Sequence, residues 1–131
     1  MKKVINISSF ISLLLLMSFS SAVDTEISIE NLSKKWLLTE YSVGWFSEKP
    51  SKKEQNDYIH LSSNMTFNSI SEGVFEKGTW RLKGNRIILS KNNEKKPLTF
   101  IVKDITNKEL TLIIDDPSDS DAKYLNIHFK N

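Results

Sequence analysis

The chain contains no cysteine. That excludes disulfides, thiolate metal ligands and a lipid-bearing cysteine behind any leader. Histidine occurs only twice, at His60 and His128, with no further ligand at zinc spacing. Four glycines leave no Gly-rich phosphate loop, and none of the serines sits in a G-x-S-x-G elbow. No catalytic constellation, metal site or cofactor motif is expected, and the chain is not read as an enzyme. Charge of neither sign dominates: setting aside Lys2 and Lys3 leaves 16 basic against 16 acidic residues. An electrostatic nucleic-acid binder needs a clustered basic excess, so that class is excluded.

A long apolar run is also missing. The strongest, Ile11–Met17, lies behind Lys2 and Lys3 and ahead of Ser20-Ser21-Ala22. This is the pattern of a secretory signal peptide over residues 1–22, and the run is shorter than the ~20 residues of a spanning helix. Cleavage after Ala22 leaves Val23–Asn131, 109 residues, the size of one domain. The expected location is secreted or periplasmic, with no stable membrane span after cleavage. Without disulfides, the domain must be held by its core.

What is present is alternation. Val23–Ser33 reads as a short helical or irregular lead-in with Asn31 as a candidate cap. Eight strands are expected: Lys35–Val43, Asp57–Ser62, Met65–Ser71, Val74–Lys83, Arg86–Ser90, Pro97–Ile105, Glu109–Asp115 and Lys123–Lys130. The clearest hairpin is Glu76–Ser90, where Gly84-Asn85 is flanked by alternating Trp80, Leu82, Ile87 and Leu89. Gly44–Asn56 is expected to be the longest loop. Connections this short favour antiparallel neighbours. The fold class is therefore all-β: an eight-stranded antiparallel up-and-down barrel or, alternatively, a two-sheet β-sandwich.

Three motifs add a family resemblance over Leu32 to Phe129. Leu32-x-x-x-Trp36-x-Leu38 is similar to an opening G-x-W strand. Leu61-Ser-Ser-Asn64-Met-Thr66-Phe67 is similar to an apolar-x-x-D-G-T-F turn. Gly78-Thr79-Trp80-x-Leu82-x-Gly84-Asn85-x-Ile87-x-Leu89 is similar to a G-x-W hairpin. Together they resemble small bacterial lipocalin-like proteins. There are departures: Asn64 and Met65 replace the turn's aspartate and glycine, and only Lys130 is available where an arginine often closes the barrel over the first tryptophan. The resemblance implies a lipocalin-like barrel that holds a small hydrophobic molecule.

The inward phase is expected to carry Trp36, Leu38, Ile59, Leu61, Phe67 and Trp80, with Leu82, Phe100, Val102, Leu112, Ile127 and Phe129. Of these Trp36, Leu38, Phe67, Trp80, Leu82, Phe100, Leu112 and Phe129 are candidate ligand contacts, since apolar walls with aromatic rings characterise small-molecule sites. Equally, the same residues can simply fill a closed core. Trp45 and Phe46, after Gly44, are the candidate lid, or else tuck under their loop. Arg81, Arg86 or Tyr41 could anchor a polar head. The acidic turn Asp115–Asp121 lacks the glycine and glutamate of a calcium loop and reads as exposed. A rival function is an envelope interaction module acting through Tyr58, Tyr124, Ile88, Ile101 and Ile113 on the outward phase. No protein partner is specified.

Overall fold

A computed structural model describes residues 25–131; residues 1–22, expected to be a signal peptide, lie outside the described residues. Among the described residues nine strands form one sheet: β1 Lys35–Val43, β2 Phe46–Glu48, β3 Tyr58–Leu61, β4 Thr66–Ser71, β5 Val74–Lys83, β6 Arg86–Lys91, β7 Leu98–Ile105, β8 Glu109–Ile114 and β9 Asn126–Lys130. Every pairing is antiparallel between neighbours. β9 then returns to β1, Leu38 opposite Phe129 and Tyr41 opposite Ile127, and closes the sheet. Closure removes the exposed edges of the two-sheet alternative, so the fold is an eight-stranded barrel of β1 and β3–β9.

The ninth strand, β2, lies in the segment expected to be a loop. Tyr41, Ser42 and Val43 pair with Glu48, Ser47 and Phe46 around the two-residue turn Gly44-Trp45. Gly44 has φ +59°, the left-handed value that a glycine-first hairpin turn requires. Gly84 repeats the device between β5 and β6.

The chain enters through a single helical turn, α1 (Ile29–Leu32). Its cap is Ser28, not Asn31: the Ser28 hydroxyl accepts from the Asn31 amide at 3.1 Å, and the Asn31 side chain donates to the Glu26 carbonyl. This turn sets a fully buried Leu32 against the core. The Trp36 indole donates to the Leu32 carbonyl at 2.9 Å, and the Trp80 indole to the Ser62 carbonyl at 2.8 Å. Both rings are therefore buried without orphaned N–H groups. The cation near Trp36 is Lys34, its ammonium 5.5 Å from the ring centre. Lys130 instead approaches Glu109.

Burial matches the expected inward phase for Trp36, Leu38, Leu61, Phe67, Trp80, Phe100, Val102, Leu112, Ile127 and Phe129. Ile59 and Leu82 are partly buried against the same core. Two bulges change the phase elsewhere. Between Leu38 and Glu40 the register with β9 shifts, so Thr39 is an extra residue. Its hydroxyl donates to the His128 carbonyl at 3.1 Å. Tyr41 consequently turns inward, opposite Ile127, where plain alternation puts it outside. A second shift between Val102 and Asp104 brings Ile105 inside, opposite Leu110. In β4 the alternation runs straight through: Ser69 takes the inward place opposite Ile59, and Ile70 pairs with Tyr58 on the other phase. Met65 lies in the turn before β4 with φ +70°.

Candidate functional site

The interior is half filled. Strand directions place α1 and the turns after β3, β5 and β7 at one end. The β1–β2 hairpin and the connections after β2, β4, β6 and β8 lie at the other. At the first end Trp36, Leu61, Ile87, Leu110 and Leu112 close on each other. They leave a residual void of only about 10 Å³, at the lower limit for one water molecule. Toward the second end a cavity of about 630 Å³ opens to solvent. Its size is in the ~300–1,000 Å³ range of small-molecule pockets.

The cavity floor is apolar: Leu38, Ile59, Leu89, Phe100, Ile127 and Phe129. These belong to β1, β3, β6, β7 and β9, so the floor depends on barrel closure. Above them the inward positions become polar. Ser69 pairs across strands with Glu76, and Lys91 sits opposite Gly78. The Lys91 ammonium holds the Glu76 carboxylate at 2.7 Å. Tyr41 enters the wall through the Thr39 bulge.

The rim is the segment between β2 and β3, which includes a 3-10 turn at Lys52–Glu54. The Tyr41 hydroxyl donates to Glu54 Oε2, while Glu54 Oε1 accepts from the Ser51 hydroxyl at 2.8 Å. Burial, reinforced by the Glu54 bond and the nearby charges of Glu54, Asp57 and Glu72, raises the Tyr41 phenol well above its ordinary value. The same bond, with those from Ser51, holds the Glu54 carboxyl below its ordinary value. Next comes Asp57, only 6 % exposed. Its carbonyl accepts from the Leu38 amide at 3.0 Å and its Oδ2 from the Glu72 amide at 2.9 Å. Its Oδ1 is buried with no hydrogen-bond partner among the described residues.

The expected ligand contacts divide between the two halves. Leu38, Phe100 and Phe129 line the cavity. Trp36, Phe67, Trp80, Leu82 and Leu112 do not; Trp36 and Leu112 pack in the closed half, and Trp80 faces side chains rather than empty space. Trp45 neither covers the mouth nor tucks under its loop: it is 100 % exposed at the tip of the β1–β2 hairpin. Phe46 is 84 % exposed and lines a shallow groove with Val43 and Leu125 outside the cavity. Strand pairing through residue 48 holds this hairpin in line with β1 instead of folding it across the opening.

Among the candidate anchors only Tyr41 lines the cavity. Arg81 lies opposite Ile88 on the outer phase, and Arg86 binds Asp115 at 2.9 Å. Sequence reasoning missed Ser69, Glu76, Lys91, Glu54 and Asp57. The first three were legible: they continue the inward phases of Phe67, of Trp80 through Gly78, and of Leu89. Glu54 and Asp57 lie in a non-repetitive segment that carries no such phase.

The other features have local explanations. Asp116 accepts from the Ser118 amide and hydroxyl, and Asp119 from the Asp121 amide, so the acidic turn folds on itself. Among the described residues no group of three or more His, Cys, Asp or Glu side chains could hold a metal ion. His60 on β3 and His128 on β9 flank opposite edges of β1. His128 sits between the Ser42 and Thr111 hydroxyls. On the outer phase Ile88 is buried, Tyr58, Ile101 and Ile113 are half-buried, and Tyr124 is exposed. No helix among the described residues is long and apolar enough to cross a membrane.

Known proteins place this geometry. No curated protein matches the chain. A solved lipocalin-like protein from Bacteroides uniformis is similar in structure, with TM-score 0.54 and 20 % identity, covering 77 % of this chain and 98 % of its own. An uncharacterised protein from Bacteroides eggerthii gives TM-score 0.54 at 14 % identity, covering 76 % and 98 %. At such identities these neighbours show the fold alone. The sequence model of the lipocalin-like domain family matches residues 32–112, more than half of the chain. The protein belongs to the lipocalin-like domain family.

Proposed function

We propose that this is an exported, non-catalytic binding protein that holds a small hydrophobic or amphipathic molecule in the open half of its barrel. The observation that carries the reading is the cavity itself, about 630 Å³ over an apolar floor, beside a half that is packed shut. Burying an alkyl chain or ring there removes apolar surface from water at about 25 cal/mol per Å². The packed half supplies the rigid base that keeps the pocket formed. Export follows from the leader pattern of residues 1–22, which would deliver the protein to the periplasm or the exterior. A periplasmic or secreted carrier meets its ligand outside the cytoplasm.

The test is a titration with the neutral fluorophore N-phenyl-1-naphthylamine. An external reporter is needed because none of the three tryptophans lines the cavity. One saturable site is expected, lost in Ile114→Trp, which fills the wall between β7 and β9. Binding that survives this substitution would place the fluorophore elsewhere and sink the reading.

A further inference from the structure

The geometry points to a ligand with an apolar body and a hydrogen-bond-donating, positively charged head, a protonated alkyl amine, received at Asp57 on the acidic side of the cavity. The inference rests on the barrel being a binding site and specifies which chemistry it selects.

Asp57 is the centre of the argument. It lines the cavity, is more than nine-tenths buried, and leaves Oδ1 without a partner. A buried carboxylate oxygen that accepts nothing is costly unless something completes it. Its backbone is fixed by two bonds, the Asp57 amide to the Glu54 carbonyl and the Leu38 amide to its carbonyl, and its side chain by the Glu72 amide to Oδ2. The side chain is thus fixed beside the cavity, with Oδ1 itself covered from solvent. What completes it must be a donor.

The neighbours agree in sign. Glu54 and Tyr41 flank Asp57 on this side, and the tyrosine hydroxyl already donates to Glu54, leaving its oxygen as an acceptor. The phenol feels the charges of Glu54, Asp57 and Glu72 together. Across the cavity Lys91 is engaged by Glu76 at 2.7 Å and approached by Glu94 at 3.8 Å. Lys49, the other lysine of the lining, stands exposed at the rim. A carboxylate head would therefore meet like charge beside Asp57, whereas an ammonium meets acceptors and opposite charge.

The experiment is competition against bound N-phenyl-1-naphthylamine at pH 7 with dodecylamine, dodecanol and dodecanoate, three heads on one chain. Dodecylamine is expected to displace the fluorophore at a concentration at least about tenfold below dodecanoate. Asp57→Asn, which turns the free acceptor into a donor, should erase that preference. Glu54→Gln should reduce the preference partway, and it serves should Asp57→Asn fail to fold by circular dichroism. Equal displacement by amine and carboxylate, or a preference unchanged in both variants, overturns the head-group assignment alone, because dodecanol still reports the pocket. If neither the fluorophore nor dodecanol binds, the binding reading fails with it.

Discussion

The Tyr41 hydroxyl donates to the Glu54 carboxylate, joining a barrel strand to the rim segment across 13 residues of sequence. The bond exists because Thr39 is an extra residue in β1, which turns Tyr41 into the barrel. It fixes one side of the cavity mouth, and Asp57 follows three residues after Glu54. One bulge thus positions the polar side of the site.

Tyr41→Phe should loosen that side without unfolding the barrel. A net loss of about 1 kcal/mol is expected for one hydrogen bond, read by thermal denaturation. Amide exchange should quicken in residues 51–57 and stay unchanged in β5 and β6. Uniform acceleration throughout would show that the bond is not a local tie.

The same pair gives a pH dependence at both ends. Glu54 has a lowered folded value, so its contribution is complete above the ordinary carboxyl value of 4.5 and is lost as pH falls below it. Tyr41 has a raised folded value, so the unfolded chain ionises first, and stability falls as pH rises above 10.0. Denaturation midpoints of wild type and Tyr41→Phe should converge at acid pH. Above pH 10 the wild type should lose stability faster than the variant. Parallel curves at both extremes would contradict this.

How much of this was legible depends on the kind of residue. The eight barrel strands show in the sequence because each buries one face, and burial imposes a period of two. The packed core at Trp36, Leu61, Phe67, Trp80 and Leu112 follows from that period. Bulges leave no compositional mark, so the inward turn of Tyr41 and of Ile105 was hidden. The β1–β2 hairpin was masked by Pro50 and the lysines after it, although Gly44 followed by Trp45 is a glycine-first two-residue turn. The boundary between filled and open halves depends on how side chains from eight strands add up across the barrel. No single segment encodes it.

Trp80→Ala should cost about 3–5 kcal/mol, the range for emptying a buried aromatic site, since Trp80 packs among core side chains and also bonds Ser62. Leu89→Ala, at the cavity floor, should cost nearer the lower end of the ~2–5 kcal/mol range for buried leucines, because the residue borders the cavity. Chemical denaturation of the two variants orders them. Equal losses would mean that Leu89 is packed on all sides.

Two backbone sites should respond oppositely. Gly78 pairs with Phe67 and Lys91, and a Cβ there would lie 2.0 Å from the Ser90 carbonyl oxygen. Gly78→Ala must push β5 and β6 apart, at a cost of at least ~1–3 kcal/mol. Glu72 is exposed and holds φ +50° in the two-residue turn before β5. Asparagine tolerates that conformation, so Glu72→Asn should stabilise by about 0.5–1 kcal/mol. Equilibrium denaturation checks both signs.

The central claim is that one barrel is filled at one end and open at the other. Methyl NMR of the selectively labelled protein, titrated with dodecanol, tests it most directly. Saturable shifts are expected at Leu38, Leu89, Ile114 and Ile127 around the cavity, with Leu61, Ile87 and Leu110 in the packed half unmoved. Absence of any saturable shift, or shifts confined to outer residues such as Ile101 and Ile113, would contradict the account.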